Sequence, residues 1–300
     1  MPSPDDLTAA AAGTWKLGDL TVNRMGFGSM RLTANPDREV AIAVLRRAVE
    51  LGVNHLDTAA FYRTPGGTLG VSDGGPVRFA NELIRDALAP YPEDLVITTK
   101  VGPGDDPERG FYNATTAAEL RGQVEQNLRQ LGRDHLDVVN LRIMNRPGES
   151  LAERFGWLAE LRDAGLIRHL GISNVRPDHL DEAEPIAPVV CVQNSYAIDS
   201  SRENDAFLQV CAERGIAFVP FFAIAGTTRE GGAATNHTAA VQAVAAAHNA
   251  SEQQIRLAWT LHQAPNVLAI PGTGNPAHLE QNIAAGAITL STEDLATLNA

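Results

Sequence analysis

Apolar and polar positions alternate along this chain in two periods that take turns. Between Thr14 and Met30, two short strand-like runs flank Gly18-Asp19, which predicts a β-hairpin followed by the glycine-containing GFGSM. From there a helical period near Asp37 to Leu51 passes through Gly52 into the strand-like VNHLDT, and VRFANELIRDAL leads to DLVITTK. A helix over Thr116 to Leu131 ends at Gly132 before LDVVNLR. LAERFGWLAELRDAG then precedes IRHLGIS, RPDHLDEAE precedes PVVCVQN, and RENDAFLQVCAERG precedes IAFVPFF. A helix pair closes the series: HTAAVQAVAAAHNA, then SEQQIRLAWTLHQA opened by a capping box from Ser251 to Gln254, before a last strand in NVLAIPG.

Sequential strand-helix units imply right-handed crossovers and a parallel sheet. Eight of them within 300 residues predict a closed (β/α)8 TIM barrel with an N-terminal β-hairpin, in a single domain over 1–300. The rival is a doubly wound sheet carrying dinucleotide on a GxGxxG turn. Gly26-Phe27-Gly28 lacks the third glycine and the directly following helix that such a turn needs.

Composition narrows the partners. A formal net charge of -12 argues against nucleic acid or an anionic membrane as a general partner and leaves room only for a local anion pocket. Cys191 and Cys211 form no CxxC pair, so they read as core fillers in a reducing compartment, and no metal-ligand cluster stands out. The opening MPSPDDLTAAAAG carries acids where a secretory signal needs positive charge, and no apolar run approaches the roughly 18 residues of a membrane span. The expectation is a cytoplasmic protein acting on a small molecule. Nothing in the sequence speaks to oligomeric state.

In a barrel of this kind chemistry sits at the C-terminal ends of the strands. That rule selects Asp57 after VNHL, Lys100 after LVITT, Arg142 after VVNL, Ser173-Asn174 after LGI, and Gln193-Asn194 after VVCV. Lys100 and Lys16 are the only lysines in a chain that otherwise uses arginine, and lysine alone of the two can titrate. Asp57 and Lys100 could be no more than a structural ion pair, and a buried lysine could also serve as a Schiff-base nucleophile. Tyr62, five residues beyond Asp57, supplies another possibility. A phenol titrating near about pH 10 is a poor acid, but a neighbouring ammonium stabilises phenolate, with the aspartate keeping the lysine charged and in place. His55, two residues before Asp57 on the same strand face, reads as a packed barrel residue. Arg142 stands among Leu141, Ile143 and Met144, where a cation needs a partner, an anionic ligand or a carboxylate such as Asp57.

GVNHLDTAAFY, VITTK, GISN, VQNSY and IPGTGNPAHLEQN occur in this order over almost the whole length. Together they strongly resemble the aldo-keto reductases, and LDVVNLR, VCVQN and VPFF are most similar to the bacterial pyridoxal reductase branch of that family. The resemblance implies a barrel reductase that passes hydride from a nicotinamide cofactor to a carbonyl carbon. Tyr62 would protonate the carbonyl oxygen, with Lys100 and Asp57 in support. Ser173, Asn174 and Gln193 would bind the nicotinamide carboxamide, Phe221 would stack on its ring, and Ser29 and Met30 would add a further contact. Gly272, Thr273, Gly274, His278, Gln281 and Asn282 fall in the segment that binds the far end of the cofactor.

Two departures accompany the likeness. Many NADPH-using relatives carry lysine or arginine in the phosphate-binding segment, whereas this chain has Gly272, Gly274 and His278; the expected cofactor is NADPH, with His278 or Arg229 as substitute cations and NADH not excluded. The fourth strand of the family ends in a histidine that touches the substrate carbonyl, and this chain has Arg142. The implied reaction is reduction of an aldehyde or ketone, with pyridoxal as the suggested substrate. A carbonyl from a biosynthetic pathway, or a nicotinamide-binding regulatory role with slow turnover, are the alternatives.

Overall fold

The computed structural model describes residues 7–66, 75–106, 110–144, 148–224, 234 and 237–300. The hairpin forms as expected: β1 (Thr14–Leu17) and β2 (Leu20–Asn23) pair antiparallel around Gly18, which takes φ +66°. A side chain there would also collide with the His169 ring, 2.3 Å away. Leu17 and Val22 press into an apolar cluster with Val96, Val138 and Leu268, so the hairpin plugs the N-terminal end of the barrel. Asp19 at its tip accepts a hydrogen bond from Arg168 and lies 2.6 Å from His169 Nε2; these two partners, Arg168 first, hold its carboxyl down at about 2.

The main sheet runs in strict sequential order through β3 (Phe27–Gly28), β4 (His55–Asp57), β7 (Val96–Val101), β10 (Leu136–Arg142), β11 (Ile167–Ser173), β12 (Val189–Gln193) and β13 (Ala217–Phe218), every neighbour parallel. The segment 266–270 then links its two edges. Phe218 donates to Asn266 and Leu268 donates back to Phe218, both at 2.9 Å, while Ala269 donates to Arg24 and Gly26 to Ala269, both at 2.8 Å. The sheet therefore curls on itself. NVLAIPG, expected as a full eighth strand, contributes only isolated bridges, because Pro271 has no N–H with which to extend the ladder.

The helices alternate with these strands: α1 (Arg38–Glu50), α2 (Ala80–Leu88), α3 (Ala117–Leu131), α4 (Ala152–Asp163), α5 (Pro177–Ala183) and α6 (Asp205–Glu213), then the pair α7 (Ala239–His248) and α8 (Glu252–His262), and α9 (Pro276–Ala284). Their ends follow local chemistry. Asp37 accepts from Glu39 and Val40, Thr116 caps α3, Gly132 ends it in the left-handed region, and Ser251 and Gln254 form the expected capping box. A final α10 (Thr292–Asn299) was not anticipated, although Ser291 and Asp294 form a second box in front of it.

Two small antiparallel strand pairs were also missed. The helix expected from VRFANELIRDAL starts at Ala80, not Val77, because Arg78 and Phe79 form β6, paired with β5 (Arg63–Thr64). Arg78 Nε donates to the Thr33 carbonyl at 3.0 Å, tying this pair to the 3-10 turn after Ser29. After β7, the chain makes β8 (Pro103–Asp106) and β9 (Gly110–Asn113). No helix among the described residues is long and apolar enough to cross a membrane.

Candidate active site

Strand alternation sorts the residues at the C-terminal ends of β4 and β7 into two sets. His55, Asp57, Thr98 and Lys100 face the barrel interior, and Thr58 and Thr99 face the helices. Lys100 Nζ donates to both carboxylate oxygens of Asp57, at 2.8 and 2.7 Å, and to the backbone carbonyl of Thr58 at 2.9 Å. Lys100 is 2% exposed and Asp57 3%. Burial opposes the ammonium most strongly, yet the charge of Asp57 and the interaction with Tyr62 hold the Lys100 pKa above its ordinary value, so the lysine is a cation at neutral pH. A charged, fully engaged lysine is a poor amine nucleophile, which counts against the Schiff-base reading.

Tyr62 is aimed at this pair by its backbone. Its N–H closes a turn on Ala59 at 3.0 Å, and its carbonyl accepts the first N–H of α2, from Ala80, also at 3.0 Å. The ring centroid lies 5.0 Å from Lys100 Nζ. Phe61 packs edge-on against Tyr62 and Phe111, while Arg63 grips Asp105 with two bonds of 2.6 and 3.0 Å, so the β8–β9 hairpin flanks the tyrosine. His55 sits below, its Nε2 3.2 Å from Thr98 Oγ1; burial, only partly offset by Asp57, pushes its pKa down to about 4 and keeps it neutral. Cys191 and Cys211 are buried thiols pushed up to about 12, mainly by burial.

Around this centre stand the other strand ends. Gln193 donates to Asp57 Oδ1 at 2.7 Å, and its Oε1 is buried without a hydrogen-bond partner among the described residues; Ser29 Oγ is buried in the same condition, and the Ser29 N–H donates to the Asp57 carbonyl at 2.9 Å. Asn174 adopts φ 58°, its N–H on Gln193 and its side chain on the Ile143 carbonyl. Arg142 donates to Ser173 Oγ at 3.2 Å, and its guanidinium carbon lies 4.9 Å from the centroid of Phe221. The residues named from the resemblance around the nicotinamide thus meet at one mouth, except that Met30 only borders it, in the 3-10 turn after Ser29.

Further along the mouth, Gly272 and Gly28 bring two backbones together, for a side chain on Gly272 would stand 2.4 Å from the Gly28 carbonyl oxygen. Thr273 Oγ1 accepts from Asn275, which caps α9 through the Ala277 N–H, and the first turn of α9 holds no acid. His278 and Gln281 are exposed on α9 and Asn282 is buried. Arg229 lies outside the described residues. A nicotinamide dinucleotide fits this arrangement on two grounds: buried polar atoms lacking partners at Gln193 and Ser29 suit an amide group, and an acid-free helix N-terminus suits phosphate.

Comparison with known proteins decides the lineage. The sequence pattern of the Aldo/keto reductase family matches residues 24–300. The chain belongs to that family. It is 43% identical to the pyridoxine 4-dehydrogenase of Escherichia coli (strain K12), over 96% of this chain and 98% of that one. Among solved structures, a thermostable aldo-keto reductase in complex with the inhibitor epalrestat has a TM-score of 0.77 at 30% identity, covering 95% of this chain and 98% of that one. An aldo/keto reductase from Klebsiella pneumoniae in complex with NADP and acetate has a TM-score of 0.74 at 25% identity, covering 93% and 91%. The barrel read from the strand-helix pattern is the fold of these aldo-keto reductases, and this chain is an oxidoreductase of carbonyl compounds.

Sequence reading missed Thr58 and the helix amides that hold it. Their signal was present, since Asn81 and Asn127 fall on the buried faces of α2 and α3, where polar side chains need an explanation.

Proposed function

We propose that the chain reduces an aldehyde to an alcohol with NADPH, Tyr62 giving the proton, and that pyridoxal is a substrate. The observation that carries this reading is the Lys100 ammonium, gripped by both Asp57 oxygens and set 5.0 Å from the centre of the Tyr62 ring. NADPH, when bound, supplies the hydride. Gln193 and Ser173 would hold its carboxamide: Gln193 through its acceptor, unpartnered among the described residues, and Ser173 through its O–H, with Arg142 on one of its two lone pairs. Phe221 would border the ring, with Asn174, Ser29 and Met30 beside it. Gly272, Thr273 and Gly274 would take phosphate at the start of α9, with His278, Gln281 and Asn282 toward the far end.

As the carbonyl oxygen gains charge, Tyr62 hands it a proton, and the fixed charge of Lys100 stabilises the phenolate left behind. Asp57 keeps Lys100 charged in a site too dry to do so unaided. Arg142 cannot give up a proton; it orients the carbonyl and offers a second N–H to an anionic oxygen on the substrate. Pyridoxal carries an acidic hydroxyl beside its aldehyde and so matches that fork. The Escherichia coli relative supports the same substrate. NADPH is favoured over NADH by the Klebsiella relative's bound cofactor, with His278 as the available imidazole.

The 1–300 chain works as one domain in this reading, the hairpin being pinned to the barrel through Asp19 and His169. A cytoplasmic setting is supported by two unpaired buried thiols. The test is a panel of carbonyls, pyridoxal among them, assayed with NADPH and NADH in both directions. Turnover of aldehydes with pyridoxal among the better substrates is expected, and tight cofactor binding without turnover of any aldehyde would favour a regulatory protein instead.

A further inference from the structure

Asp57 and Lys100 each have a threonine neighbour that faces away from the site, and both threonines reach the same pair of buried amides. Thr58 Oγ1 donates to Asn81 Oδ1 at 2.7 Å, and Thr99 Oγ1 donates to Asn127 Oδ1 at 2.6 Å. Asn81 Nδ2 joins the two by donating to Asn127 Oδ1 at 2.9 Å, and also to Gln130 at 3.0 Å. Asn127 Nδ2 anchors the cluster to the backbone of α3 through the Gln123 carbonyl, 2.9 Å. Thr58, Thr99, Asn81 and Asn127 are almost wholly buried.

Thr58 is held at three points. Its N–H donates to Thr98 at 2.9 Å, its hydroxyl is on Asn81, and its carbonyl receives Lys100 Nζ at 2.9 Å. That carbonyl is an uncharged acceptor of an ammonium that also donates to the two Asp57 oxygens and interacts with Tyr62. Moving it would re-aim the ammonium relative to Tyr62. We infer that the Asn81–Asn127 amide pair, acting through Thr58 and Thr99, is a positioning device that sets Lys100 beneath Tyr62. The inference rests on the proton-donor reading of Tyr62 given above. Apolar side chains of the same shape would fill this space equally well, and buried polar networks of this kind fix one geometry where apolar packing tolerates several.

The test uses the full chain with NADPH and 4-nitrobenzaldehyde, comparing Thr58→Val, Thr99→Val and Thr58→Ser with Tyr62→Phe as reference. Thr58→Val keeps the shape and the carbonyl but removes the hydroxyl; Thr99→Val does the same at the other end of the pair and serves should Thr58→Val not fold. The expected result is a kcat lower by about 10²-fold, as for other small misplacements of catalytic groups. The dissociation constant for NADPH should not change, and the alkaline limb of the kcat–pH profile should move to higher pH. Thr58→Ser should restore both readouts. A valine variant with a lowered melting temperature but unchanged kcat and pH profile overturns the inference while leaving Tyr62 as donor. Full turnover by Tyr62→Phe would overturn the donor reading and this inference with it.

Discussion

Lys100 spends two of its hydrogen bonds on Asp57, one to each carboxylate oxygen, in a setting where both side chains are shut away from water. Neither charge could survive there alone. Asp57→Asn should therefore cost about 3–5 kcal/mol of folding stability, the usual penalty for stranding a buried ion, and also lower kcat. Urea unfolding at pH 7.5 measures it; a loss of less than about 1 kcal/mol, the range of exposed pairs, would contradict the pairing.

His55 predicts a pH dependence of stability. Its folded pKa, about 4, lies below the ordinary 6.5, so between those values the unfolded chain binds a proton that the folded chain does not. Stability from this group is complete above pH 6.5 and declines as pH falls toward 4. The decline is on the order of 3 kcal/mol. A His55→Gln variant should lose less stability than the parent between pH 7.5 and pH 4.5, and identical losses would contradict the burial of a neutral imidazole.

Arg142→Met should weaken reduction of pyridoxal about 10- to 100-fold more than reduction of benzaldehyde, which lacks the acidic hydroxyl. Cofactor affinity should change little. Equal losses on the two aldehydes would leave Arg142 a carbonyl role and remove hydroxyl recognition, and unchanged kinetics on both would remove Arg142 from the chemistry.

His278→Ala should raise the dissociation constant for NADPH by about 2- to 5-fold, the scale of an exposed charge interaction, and leave that for NADH as it was. Fluorescence titration with each cofactor checks this. Equal effects on both would assign His278 no part in recognising the 2′-phosphate.

Much of this site could be read before any coordinates, because a parallel barrel presents its strand ends together and Asp57, Lys100, Arg142, Ser173 and Gln193 each end a strongly patterned strand. What could not be read is where their hydrogen bonds go. Local sequence does not tell that Arg142 donates to Ser173 Oγ and lies over the Phe221 ring, contacts set by the register that puts Arg142 opposite Ser173. Gln193 turns inward to Asp57, a contact 136 residues away in sequence that no local pattern encodes. For Thr58, Asn81 and Asn127 the helical period marks the two asparagines as polar residues on buried faces, but not that they bond to each other and to Thr58. The β8–β9 hairpin escaped because PGDD and GFYN carry no strand period, and pairing with each other makes them strands.

The central claim is that Tyr62 donates the proton while Lys100 and Asp57 hold the charge that makes donation possible. Tyr62→Phe removes one oxygen and leaves the Lys100–Asp57 pair and the mouth around Gln193 and Ser29 in place. The decisive measurement is single-turnover oxidation of bound NADPH by an aldehyde, alongside the dissociation constant for NADPH. The account predicts an unchanged dissociation constant and a turnover rate reduced by about 10²–10⁴-fold, the usual contribution of general acid catalysis. A variant that reduces the aldehyde at the parent's rate would contradict it.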